Sequence, residues 1–128
     1  MRELMAMLPD LDDNRQFIET LRARFPEVAE EIDSLKVNGF FYSELGVFER
    51  ISICAWNAGD TDVLIRYFAF VDDALDGADD TLVNALHVSY AEGFAWGSKH
   101  EQDARRLMPA RLGAAFDSMR DHLRKLPR

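Results

Sequence analysis

Residues 41–86 read FYSELGVFERISICAWNAGDTDVLIRYFAFVDDALDGADDTLVNAL, three apolar runs separated by Ala58-Gly59-Asp60 and by Gly77-Ala78-Asp79. Stepping roughly 100° per residue from Leu45 puts Phe41, Phe48, Ser52 and Trp56 on one side of a helix and Val47, Ile51 and Cys54 on the opposite side. Only Glu44, Glu49 and Arg50 need water. A helix over Phe41–Asn57 that is apolar nearly all round is a central one, contacted from two sides. From Thr61 to Asp76 the stripe is Leu64, Tyr67, Phe68, Val71 and Leu75, while Asp62, Arg66, Asp73 and Asp76 gather between roughly 120° and 200° away. A third run, Asp80 to Trp96, aligns Leu82, Leu86, Ser89 and Gly93. The small residues at 89 and 93 predict a close helix–helix approach, since a mid-helix glycine otherwise costs about 1 kcal/mol.

The flanks follow the same pattern. Leu11, Phe17, Ile18 and Leu21 mark a helix over about residues 10–24, and Pro26 opens a second at its favoured first position, with Val28, Ile32 and Leu35 inward and Asn38-Gly39 as its end. A short segment over about residues 99–108 precedes Pro109, which starts a last helix with Leu112, Phe116, Met119 and Leu123 inside. No stretch alternates apolar and polar residues as a strand does. The fold class is therefore all-α: one domain over residues 1–128, about six helices packed as antiparallel pairs around a central apolar helix. The starts at Asp60-Thr61 and Asp80-Thr81 resemble each other, but two such units do not make a repeat.

At 128 residues and 48% hydrophobic, the chain can bury a core without disulfides or metal. Cys54 is the single cysteine, which fits a reducing compartment, and its apolar helical surroundings predict a buried, inert thiol. The start, Met1 to Pro9, is interrupted early by charge and lacks the roughly 7–15 apolar residues of a secretory signal. No run approaches the ~20 apolar residues of a membrane span. The expectation is a cytoplasmic protein with no membrane partner.

Charge is uneven. The whole chain carries −8, with residues 98–128 at +4 and residues 41–97 at −8. The basic tail intersperses Asp103, Asp117 and Asp121 among its Arg and Lys and lacks interleaved aromatics, so nucleic acid is not an expected partner. The acid concentrates between Asp60 and Asp80, seven Asp against Arg66 alone. Asp60 and Asp62 flank an expected N-cap at Thr61, and Asp79 and Asp80 open the next helix, where carboxylates are favourable. Asp72, Asp73 and Asp76 instead precede Gly77 at a helix end, where each opposes the dipole by roughly 0.3–1 kcal/mol. Acid kept where stability disfavours it reads either as a solubilising surface that tolerates mild frustration or as a patch that recognises a basic surface. The candidate partner-binding residues are Asp62, Asp72, Asp73, Asp76, Asp79 and Asp80, with Asp62, Asp73 and Asp76 at the centre.

Chemistry is sparse. An EF-hand loop opening at Asp72 would place Ala74 third and Val83 twelfth, where oxygen ligands are required, so it fails. His87, His100 and His122 are dispersed, with His87 expected to be partly buried, and no zinc spacing or phosphate loop occurs. Ser89, Tyr90 and Glu92 are the midchain polar candidates, with Glu92 and His87 the one guessable acid–base pair. The expectation is no enzyme, no cofactor and no metal, the alternative being a small helical enzyme on that pair or a DNA-mimic inhibitor.

The segment Trp56-Asn57-Ala58-Gly59-Asp60-Thr61-Asp62-Val63-Leu64, continuing through Phe70-Val71 to Leu82-Val83-Asn84-Ala85-Leu86, resembles small all-helical bacterial immunity proteins of polymorphic toxin and contact-dependent inhibition systems. The likeness covers about residues 40–97 and rests on caps and core positions. It implies a cytoplasmic antitoxin that binds one cognate toxin domain and occludes it. Binding residues in such proteins follow the toxin, so none is transferred. Combined with the acid, the resemblance implies a basic toxin, such as a nuclease, approached by charge-complementary docking.

Overall fold

Pro26, Gly59 and Gly77 divide the chain where the sequence punctuates it. The computed structural model describes residues 12–95 and 101–125. They form α1 (Asp13–Arg24), α2 (Pro26–Ser34), α3 (Phe41–Asn57), α4 (Thr61–Leu75), α5 (Asp80–Leu86), a π-helical segment (His87–Ala91), α6 (Glu92–Ala95), α7 (Glu101–Arg106) and α8 (Ala110–Lys125). The protein is all-helical, and no strand occurs among the described residues. Expectations for residues before Asp12, for residues 96–100 including His100, and for the side chain of Leu123 lie outside the described residues.

Local chemistry sets the boundaries. Asp12 caps α1 by accepting the Arg15 N–H at 2.8 Å, and Pro26 occupies the first turn of α2. α2 stops earlier than Asn38-Gly39. Lys36 adopts a left-handed conformation at φ 57°, and the N–H groups of Lys36 and Val37 reach back to Asp33 and Ile32. That is a Schellman ending with lysine where glycine usually sits. α3 closes in the same way on Gly59, whose φ is 74°, with Asp60 N–H bonding the Ala55 carbonyl at 2.8 Å. The turn therefore reassigns the cap of α4 to Asp60. Thr61, expected as the N-cap, is already helical, and its hydroxyl donates back to the Gly59 carbonyl.

α3 packs against α1, α2, α4 and the π-helical segment, while α8 lies across α4, the π-helical segment and α6. One core unites them, from Phe17 and Ile18 through Leu45, Phe48, Leu64 and Phe68 to Tyr90, Leu112 and Phe116. Its spine is aromatic. Phe17 meets Phe70 at 5.1 Å, Phe25 meets Tyr67 edge-on at 4.9 Å, Phe48 stacks on Tyr90 at 5.0 Å, and Phe68 meets Phe94 at 5.2 Å. Such pairs add about 0.5–1.5 kcal/mol each beyond the area they bury, which makes these rings structural.

α3 is enclosed on two sides only over its first half. Leu45 and Val47, on opposite faces, are both buried, but Ile51 is half-buried and Cys54 is exposed, contrary to the buried thiol expected from its neighbours. The second apolar face outlasts the helices that cover it. Glu44 departs from expectation in the other sense, being buried at 1% exposure in the two-pronged grip of Arg15. The rod over residues 80–95 is not uniformly α-helical either: the Glu92 N–H bonds the carbonyl of His87, five residues back. Gly93 does accommodate a close approach, but by the Glu49 carboxylate, whose Oε2 lies 2.6 Å from where a β-carbon would stand.

Candidate functional site

α1 turns a mixed stripe toward the end of α4. Asp13, Phe17, Thr20 and Arg24 recur at helical spacing and face Phe70, Asp73 and Ala74 of α4, with the Asp76-Gly77-Ala78 turn and Leu82 closing the far side. Between them lies a cleft of about 350 Å³. Its floor is apolar, because Phe17, Phe70 and Leu82 are core residues each no more than 5% exposed. Three carboxylates line it, Asp13, Asp73 and Asp76, with Arg24 as the resident cation.

The frame is held by hydrogen bonds rather than by packing alone. Asp13 Oδ2 accepts the backbone N–H of Asp79 at 2.7 Å and ties the start of α1 to the turn. Asp79 in turn caps α5 by accepting from the Leu82 N–H at 2.9 Å. The Arg24 guanidinium lies 5.6 Å from the centre of the Phe70 ring.

The six aspartates expected as one partner-binding set separate into groups. Asp73 and Asp76 line the cleft, both exposed. Asp79 belongs to its frame, and Asp80 is exposed in the first turn of α5. Asp62 shares their helix face but lies about 17 Å along the axis from Asp73, at 1.5 Å per residue. Asp72 is not a surface acid: it is 6% exposed, accepts the Leu112 N–H at 2.9 Å and the Arg111 guanidinium at 3.2 Å, and so caps α8 across forty residues of chain. Arg111 also reaches Asp76 at 3.4 Å, so the basic tail neutralises part of the acid that the linear sequence leaves uncompensated.

Asp13 was missed because its partners are remote in sequence. The spacing of Asp13, Gln16, Phe17 and Thr20 on one face of α1 is the signal that could have found it, polar positions flanking an aromatic that belongs to the core stripe.

The midchain polar residues assemble elsewhere. The Tyr90 hydroxyl is sealed in the core and donates to Ser52 Oγ at 2.9 Å, and Ser52 donates to the Phe48 carbonyl at 2.9 Å. Burial raises the Glu49 carboxyl to about 7, and the nearby charge of Glu92 pushes in the same direction. His87 is half-buried and burial lowers its pKa. None of His87, Ser89, Tyr90 and Glu92 lines the cleft. Among the described residues no three His, Cys, Asp or Glu side chains converge as metal ligands, and no helix is long and apolar enough to cross a membrane.

Fold and cleft together define a small all-helical protein whose described residues form an acid-lined cleft with an apolar floor. The chain belongs to a family described as a domain of unknown function, DUF7674, whose profile matches residues 18–124. Asp13 and Phe17 fall just outside that match. No curated protein and no solved structure matches the chain.

Proposed function

We propose that this protein is an acidic protein-binding module that docks a basic partner over the cleft between α1 and α4. The convergence of Asp13, Asp73 and Asp76 above the Phe17–Phe70 floor supports this reading. A charged rim steers encounter and fixes register, and the apolar floor shapes the recess that a projecting side chain enters. Its most specific form is an immunity protein, acting in the cytoplasm, that neutralises one basic toxin domain by occluding it. DNA mimicry fits less well, because it needs carboxylates spaced along a long face, and Asp72 is buried while Asp76 is paired with Arg111.

The test is neutralisation. A candidate toxin domain encoded beside this chain is expressed in cells with the wild type, with D73N/D76N, or with D62N, and complex formation is measured at low and high salt. Protection by the wild type, lost or greatly weakened with D73N/D76N and with association slowed by salt, supports the reading. Equal protection by the wild type and D73N/D76N removes the cleft from the interface. Absence of any partner that the wild type neutralises removes the immunity reading.

A further inference from the structure

We infer that the cleft is a socket for a single guanidinium, the side chain of an arginine projecting from the partner; this inference rests on the protein-binding reading above and names the chemistry of its anchor. Asp13, Asp73 and Asp76 face Arg24 and, at Asp76, also Arg111, which leaves an uncompensated charge of about −1 around an apolar floor, so one incoming cation completes the balance. The volume, about 350 Å³, stands at the small end of the roughly 300–1,000 Å³ typical of ligand sites and matches one long side chain rather than a cofactor.

Two features select arginine over lysine. Asp73 and Asp76 stand three residues apart at the end of α4, and a planar guanidinium presents donors to two carboxylates at once, whereas an ammonium is a compact point charge. The floor is aromatic, and guanidinium stacks on aromatic faces. The chain's own Arg24 already lies 5.6 Å from the Phe70 ring centre, so this lining holds one guanidinium in the same mode.

The experiment uses the isolated full chain and a small probe, so its failure is distinguishable from failure to find a partner. Acetyl-arginine N-methylamide is titrated into ¹⁵N-labelled protein, with the citrulline analogue as a neutral isostere and the lysine analogue as a cation of different shape. The expected result is saturable shifts centred on Thr20, Asp73, Gly77 and Ala78, with the citrulline and lysine analogues and the D73N/D76N variant each weaker by about tenfold or more, and D62N unchanged. Both substituted aspartates are exposed at a helix end where negative charge opposes the dipole, and the Arg111–Asp76 pair that D76N removes is itself solvent-exposed and weak, so the variant keeps the fold, which an unchanged melting temperature verifies. Equal binding of citrulline, equal binding of lysine, equal binding to D73N/D76N, or shifts absent from the cleft would each overturn the assignment. A chain that neutralises a toxin yet fails this titration would keep its function and lose the socket.

Discussion

Arg15 grips Glu44 through two parallel guanidinium–carboxylate hydrogen bonds of 2.9 and 2.8 Å, joining α1 to α3 across twenty-nine residues of chain. Glu44 is 1% exposed and the Arg15 side chain 26% exposed. Removing the cation strands a buried carboxylate, and removing both charges does not. Arg15→Ala should therefore destabilise by about 3 kcal/mol, the lower end for a broken buried pair because water reaches the guanidinium. The double variant R15M/E44L should recover most of that loss. Urea midpoints of the two proteins check this; equal losses would show that the pair acts by packing alone.

Asp72 is a tertiary helix cap, and its two jobs are separable. Asparagine still accepts from the Leu112 N–H but loses the charge that Arg111 meets, whereas alanine loses both. D72A should cost about 1–2 kcal/mol and D72N clearly less. Neither should change binding of a partner at the cleft by more than its effect on folding, which separates Asp72 from Asp73 and Asp76. Thermal melts beside partner affinity check both halves.

Lys36 carries the left-handed position of a Schellman ending, with φ 57° and no β-carbon-free residue to relieve it. Glycine takes that conformation at no steric cost but loses more backbone entropy on folding. Relief of strain should win. K36G is expected to stabilise by about 0.5–1 kcal/mol, read as a higher denaturation midpoint with an unchanged slope.

Ser52 relays one buried hydrogen-bond chain, receiving from Tyr90 and donating to the Phe48 carbonyl. Y90F removes a donor and leaves Ser52 still bonded. S52A leaves the Tyr90 hydroxyl buried without its acceptor. The loss should be about 1–3 kcal/mol for S52A and smaller for Y90F, since an orphaned buried group costs more than a deleted one. The reverse order in calorimetry would mean that the tyrosine finds another acceptor.

The helices were legible because their punctuation is local: Pro26, Gly59 and Gly77 act on neighbouring backbone, and the Leu64–Phe68–Val71 stripe needs no knowledge of its partner. The site residues were less legible because each is defined by something distant. Glu44 looks like a surface acid until Arg15 meets it, Asp72 until Leu112 does, and Asp13 until the Asp79 N–H does. Cys54 shows the converse limit, since an apolar face fixes what a helix can bury but not how far its neighbours extend along it. Charge patterning singled out Asp73 and Asp76, which the fold leaves exposed beside the cleft, and could not know that Arg111 would pair with one of them.

The Glu49 carboxyl makes stability depend on pH in the direction opposite to an ordinary paired acid. Burial, then the charge of Glu92, raises it to about 7 from an ordinary value of 4.5. Below the unfolded value both states are protonated, and the group costs nothing. As pH rises from there to about 7 the unfolded chain releases the proton while the folded chain keeps it, so stability falls through this window and levels off above it. Glutamine has no proton to release. E49Q should thus match the wild type near pH 4 and exceed it at about pH 8, by no more than about 1 kcal/mol because the group is half-buried and partly screened. E92Q removes the like charge and should move the wild-type transition to lower pH without abolishing it, since burial is the larger cause. Melting temperatures across this range decide the matter, and a constant E49Q advantage at all pH values would place the effect in packing against Gly93 instead.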